Sequence, residues 1–126
     1  MKKEIIGFFD GECMLGEDGK RYPVFGNYAS KTMLVQGDKL RLTMDDGEFI
    51  YKQLEKADRQ RVIMQVINGH GYGTGKIKLI NEKGKIYGVL PATINFFKLE
   101  VGDEVVAVIP RGSDTYFAAI EAVTNK

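Results

Sequence analysis

Lys39-Leu-Arg-Leu-Thr-Met44 alternates polar and apolar residues without a break, the period of a strand with one buried and one wet face. Short runs of this kind recur along the chain, bounded by Gly, Pro, Asn and Asp. They predict strands over residues 4–10, 12–16, 20–25, 39–44 and 49–54, then over 61–66, 76–80, 85–90, 104–109 and 116–123. Residues 28–34 and 92–99 lack glycine and proline, and each is long enough for about two helical turns. Asp18-Gly19 and Asp46-Gly47 are hairpin signals, because this pair readily takes the positive φ of tight turns.

The order of these elements occurs twice because the sequence does. Glu17, Gly19, Lys20, Tyr22, Val24, Leu34, Gly37 and Asp38 recur at a spacing of 65 as Glu82, Gly84, Lys85, Tyr87, Val89, Leu99, Gly102 and Asp103. Eight identities in 28 ungapped positions define a duplication. Upstream, "GFFDGECML" from Gly7 lies over "GYGTGKIKL" from Gly71 with a slip of one residue. Two repeats follow, 1–56 and 61–126, joined by the short polar segment 55–60. The join is no flexible linker, so the two are expected to pack closely.

Strand-strand-strand-helix-strand-strand is the order of an OB-fold. The expected fold is all-β: two tandem OB-like five-stranded barrels, each with one short helix. The alternative is one double-psi or cradle-loop-type barrel assembled from both repeats.

Composition narrows the class. The chain is 44% hydrophobic and 28% charged, the profile of a globular protein. No apolar run approaches the roughly 20 residues of a membrane helix, and the first residues lack the pattern of a signal peptide, so a cytoplasmic protein without membrane contact is expected. The net charge of +1 argues against a strong, salt-driven nucleic-acid binder. The first 60 residues carry a net −1 and the rest +2, which directs attention to the second repeat. Cys13 is the single cysteine and reads as a small hydrophobe in a reducing compartment.

Candidate chemistry centres on "NGHGYGTG", Asn68 to Gly75, which holds the single histidine. It lacks the Walker spacing and the strand-turn-helix context of a phosphate loop. Its glycines read as strand coiling, with His70 and Tyr72 as surface contacts and Phe8 as the counterpart of Tyr72 in the first repeat. Lys76 and Lys78, with Lys83 and Lys85 across the hairpin, form a basic patch beside Tyr72. Basic and aromatic side chains on adjacent strands suit a single-strand binder; the same lysines also suit a solvated edge hairpin. His70 has no partner at ligand spacing, so no metal is expected. No acid, histidine and cysteine form a catalytic set, so no enzyme and no cofactor are expected.

"VLPATINFFKLEVGDEVVAVI" with "YFAAIEAV", Val89 to Val123, resembles the RNA-binding OB domain of the transcription terminator Rho and, more distantly, the cold-shock domains. The whole chain also resembles small two-repeat bacterial proteins. The resemblance to Rho implies single-stranded RNA laid over the first three strands, with aromatic rings stacked on bases. Carried over by position, one stacking ring is Tyr72, while that family's second falls on Gly88, and on Pro23 in the first repeat. The expected function is a non-enzymatic module binding nucleic acid, RNA before DNA, weakly through the second repeat. The alternative is a protein-interaction or assembly module, with another protein as partner. Nothing in the pattern fixes the oligomeric state.

Overall fold

The computed structural model describes residues 2–69, 75–112 and 114–125. The first half runs β1 (Lys2–Phe9), β2 (Cys13–Gly16), β3 (Arg21–Pro23), α1 (Gly26–Thr32), β4 (Lys39–Asp45) and β5 (Glu48–Glu55). The second runs β6 (Arg59–Asn68), β7 (Ile77–Ile80), β8 (Ile86–Tyr87), α2 (Pro91–Phe97), β9 (Glu104–Pro110) and β10 (Ala119–Val123). Two antiparallel five-stranded sheets result, β3-β2-β1-β4-β5 and β10-β9-β6-β7-β8. The pairing scheme is the same in both: the first strand of each half lies between the second and the fourth.

Backbone geometry repeats with the sequence. Met33 and Lys98 end their helices in the left-handed region at φ 53° and 51°, and Gly37 and Gly102 follow at 98° and 99°. Both helices end two residues earlier than the pattern predicts, and they start two residues earlier in α1 and one in α2. Each is seven residues long, and α2 begins on Pro91, whose fixed φ and missing N–H suit a first helical position. The stops fall on Met33 and Lys98, residue types that give no stop signal.

Neither sheet closes into a barrel, which corrects the expected pair of closed barrels. The ladders leave β3 and β5 as edges of the first sheet, and β8 and β10 as edges of the second. Isolated links join those edges. Gly88 and Phe117 form a parallel bridge, with Gly88 N–H donating to the Tyr116 carbonyl at 2.7 Å and Ala118 N–H donating to the Gly88 carbonyl at 3.1 Å. In the first half the Tyr51 hydroxyl donates to the Pro23 carbonyl. Among the described residues no ladder crosses between halves, so the single barrel built from both repeats does not form.

Burial pushes the Tyr51 phenol up to about 12, and its ring stacks on Tyr28 at 5.8 Å. Tyr51→Phe is expected to cost about 1 kcal/mol, the net worth of one hydrogen bond. The tyrosine holds its proton more tightly when folded, so the native protein loses stability as pH rises through about 12. The phenylalanine variant is expected to lose less over that interval. Urea denaturation at neutral and alkaline pH measures both, and equal midpoints for the two proteins would discard the link.

Each sheet buries its own core. Ile5, Phe9, Met14, Leu40 and Leu42 form the first, and Met64, Val66, Leu79, Val105 and Ile120 the second. Gly7 sits where β1 and β2 bend together: a Cβ there would fall onto the Leu15 carbonyl oxygen and reach 2.9 Å from the Gly16 Cα, so no larger residue fits. The halves meet through α1 and α2. A Cβ on Gly26 would come within 2.8 Å of the Ala92 methyl group, Leu90 packs into the first core, and the Thr115 hydroxyl donates to Gln36 Oε1 at 2.9 Å.

The join is built around Asp38, which is fully buried. Its carboxylate accepts the Val35 N–H at 3.0 Å, the Gln53 amide at 2.9 Å and the Ala57 N–H at 2.8 Å, and it pairs with the Arg59 guanidinium. Arg59 also donates to the Met33 and Ala57 carbonyls.

Candidate nucleic-acid interface

Strand alternation divides the first sheet into a core face and an outer face. On β4, Leu40 and Leu42 point into the core, which turns Lys39, Arg41 and Thr43 outward. On β1, Ile5 and Phe9 are buried and Phe8 is turned out, 49% exposed. Leu15, opposite Phe8 on β2, is also 49% exposed. Lys39 stands opposite Phe8 on the other side, and Arg41 opposite Ile6.

The β4–β5 turn sets the rest. Asp46 and Gly47 both have positive φ, at 49° and 83°, which makes a two-residue hairpin loop of the primed kind. That loop pairs Asp45 with Glu48, and four pairs further along the ladder it sets Arg41 directly opposite Lys52. Like charges facing each other across a ladder destabilise a sheet by some tenths of a kcal/mol. Among the described residues none of Lys39, Arg41 and Lys52 makes a side-chain hydrogen bond or ion pair, and Arg41 Nε is buried without a partner. Arg21 borders this face from β3 but is committed to Asp10 at 2.7 Å, an interaction that raises its pKa. Cys13 is half-buried on β2, and that burial, outweighing nearby Arg21, pushes its thiol up. A thiol so shifted is a poor nucleophile.

Only part of the patch expected on the second repeat falls among the described residues. Tyr72 and His70 lie outside the described residues. Lys78 corrects the sequence reading: it is 0% exposed, and its ammonium donates to the Gly75 carbonyl at 3.0 Å. Strand period places it opposite Ile67 but does not reveal that the position is covered. Lys85 is tied to Asp114 at 2.7 Å, which raises its pKa, and it lies over the Tyr87 ring at 5.0 Å. Lys76 is exposed on the bend before β7, and Lys83 is exposed in the turn. On the second sheet's outer face Arg61 makes a two-pronged pair with Glu121 at 2.6 and 3.0 Å.

Of the expected contacts, Phe8 therefore stands near cations that make no side-chain pair among the described residues, on a face that also carries Glu4, Asp45, Glu48 and Glu55, whereas Lys78 and Lys85 are occupied. Lys39, Arg41 and Lys52 escaped the functional reading of the sequence. Their signal was present in the polar half of "KLRLTM", with Lys52 placed by counting outward from Asp46-Gly47. Among the described residues no three His, Cys, Asp or Glu side chains gather into a metal site. No described helix is long and apolar enough to cross a membrane. Comparison with protein-family models, curated proteins and solved structures gives no match.

Proposed function

We propose that the chain is a non-catalytic single-stranded nucleic-acid-binding module that uses the outer face of its first sheet. The observation that carries this reading is the half-exposed Phe8 ring beside the unpaired cations Lys39, Arg41 and Lys52. A strand laid across this face would stack a base on Phe8 and bring phosphate to Arg41 and Lys52, relieving their mutual repulsion. The proposed fold of each half is OB-like. Its support is the shared pairing scheme, the Gly88–Phe117 parallel bridge and the Tyr51–Pro23 hydrogen bond, which draw the third and fifth strands of each half together. RNA is the proposed ligand class, on the resemblance of Val89 to Val123 to the Rho domain. The near-neutral net charge makes the expected affinity modest.

The test is a salt titration with fluorescently labelled oligouridylate and oligothymidylate. Log affinity should fall linearly with log salt. Arg41→Gln combined with Lys52→Gln should flatten that line by about 1.4, since each single-strand phosphate contact contributes roughly 0.7. Absence of binding at low salt, or an unchanged slope in the double variant, would overturn the assignment.

A further inference from the structure

The outer edge of β5 is open. The primed loop at Asp46-Gly47 makes its closing pair, Asp45 and Glu48, a hydrogen-bonded one. Alternation then commits the backbone groups of Ile50 and Lys52 to β4 and turns those of Phe49 and Tyr51 away from it. Among the described residues no backbone group meets the outward N–H and C=O of either residue. The duplication explains the difference from the second half. There Gly88 links the edge strands, donating to the Tyr116 carbonyl and accepting from Ala118. Its counterpart in the first half is Pro23, which has no N–H to donate. Pro23 is met by the Tyr51 hydroxyl instead.

Side chains beside this edge are graded by charge. On the outer face β4 and β5 present successive rungs of Asp45 with Glu48, Thr43 with Ile50, and Arg41 with Lys52. One rung is acidic, one neutral and one basic. Each charged rung sets like charges opposite each other, which destabilises the sheet. Asp45, Glu48 and Lys52 make no side-chain hydrogen bond or ion pair among the described residues. Lys2, opposite Asp45 on β1, lies 4.0 Å from Glu4. Ile50, between the charged rungs, is 53% exposed.

We propose that β5 pairs with β5 of a second copy, antiparallel about a two-fold axis at Ile50. Phe49 of each chain then faces Tyr51 of the other, and each facing pair exchanges both main-chain hydrogen bonds. Ile50 meets Ile50, and Glu48 meets Lys52 on either side of the axis. With their neighbours on β4, the row across the join reads Asp45, Glu48, Lys52, Arg41, so the two destabilising rungs offset each other. A slip of two residues either way sets Ile50 against Glu48 or against Lys52 and loses this match. A slip of one sets outward groups against residues whose own groups face β4. The contact is isologous and closes at the dimer. Glu48 to Lys52 spans about 17 Å at roughly 3.4 Å per residue. That is smaller than a standard interface, so the association is weak and transient, carried by main-chain hydrogen bonds as in other strand additions. It does not rest on the proposed nucleic-acid binding, although Lys52 belongs to both surfaces.

Sedimentation velocity at low salt without nucleic acid, from micromolar to millimolar protein, reads the dimer. The unmodified chain should pass from monomer to dimer, go no further, and dissociate as salt rises. Lys52→Glu and Glu48→Lys should each dimerise about tenfold more weakly or worse, because like charges then face each other across the join. An equimolar mixture of the two should regain the dimer, since every glutamate of one chain meets a lysine of the other. Hydrogen exchange at the Phe49 and Tyr51 amides should slow as dimer forms. Both substitutions lie at exposed positions, and circular dichroism checks that the variants fold. Ile50→Lys, which sets like charges on the axis and should remain monomeric, replaces a variant that does not. A chain monomeric at millimolar concentration, growth past dimer, a variant that dimerises as before, a mixture that stays monomeric, or unchanged exchange at those amides overturns the proposal.

Discussion

Asp38→Ala is expected to destabilise the protein by about 3–5 kcal/mol, the usual penalty for removing one partner of a buried ion pair. The loss is large because several groups are stranded together. Arg59 keeps only carbonyl acceptors, and the Val35 and Ala57 N–H groups and the Gln53 amide lose theirs. The repeat supplies an internal control. Asp103 stands at the same turn and accepts the Glu100 N–H at 2.9 Å as Asp38 accepts that of Val35. Asp103→Ala is expected to cost about 1–2 kcal/mol, the range for a lost turn-capping acceptor. Urea denaturation of both variants decides the point. Adding Arg59→Met to Asp38→Ala should recover part of the loss, because it removes the uncompensated charge. Equal losses at the two aspartates would mean that the Arg59 pair contributes nothing.

Phe8→Ala is expected to weaken single-strand binding by about 1–3 kcal/mol, a factor between roughly 5 and 150, the range for one lost base-stacking ring. The salt slope should stay as it was, since no phosphate contact is removed. That pattern is the inverse of the one expected for Arg41 and Lys52, and the pair of results separates stacking from charge. Phe8→Leu, which keeps the apolar bulk without the ring face, should fall between the two. Stability should change little, because Phe8 is turned away from the core. An affinity unaffected by Phe8→Ala would remove stacking from the account.

The pattern of residues revealed the elements and their order because the duplication shows every signal twice. It made most of the β4–β5 register readable too: Asp46-Gly47 dictates a two-residue loop, and the facing pairs follow by counting from Asp45 to Leu40, beyond which the ladder shifts so that Lys39 faces Glu55. Helix limits were less visible, because Met33 and Lys98 end their helices in a conformation usually marked by glycine. Whether the sheets close was not readable. Closure depends on single contacts such as Tyr51 to Pro23, 28 residues apart, which leave no period in the sequence. The site was the least legible part. Alternation reports which face a lysine occupies and says nothing about what covers that face, so Lys78 read as surface and is buried. Net charge by halves pointed to the second repeat, but pairing decides which cations are free, and partners such as Asp114 for Lys85 lie far along the chain.

The Asp38 carboxylate also bears on how the chain matures as it emerges from the ribosome. The last strand of the first sheet ends at Glu55, yet two of the donors that settle this buried charge, Ala57 and Arg59, come after it. Leu90, which packs into the same core, emerges later still. A nascent chain cut at the repeat boundary thus carries a buried carboxylate with Val35 and Gln53 as donors and its cation still to come. Completion of the first half waits for the start of the second, and vectorial synthesis yields one cooperative unit in place of two successive ones.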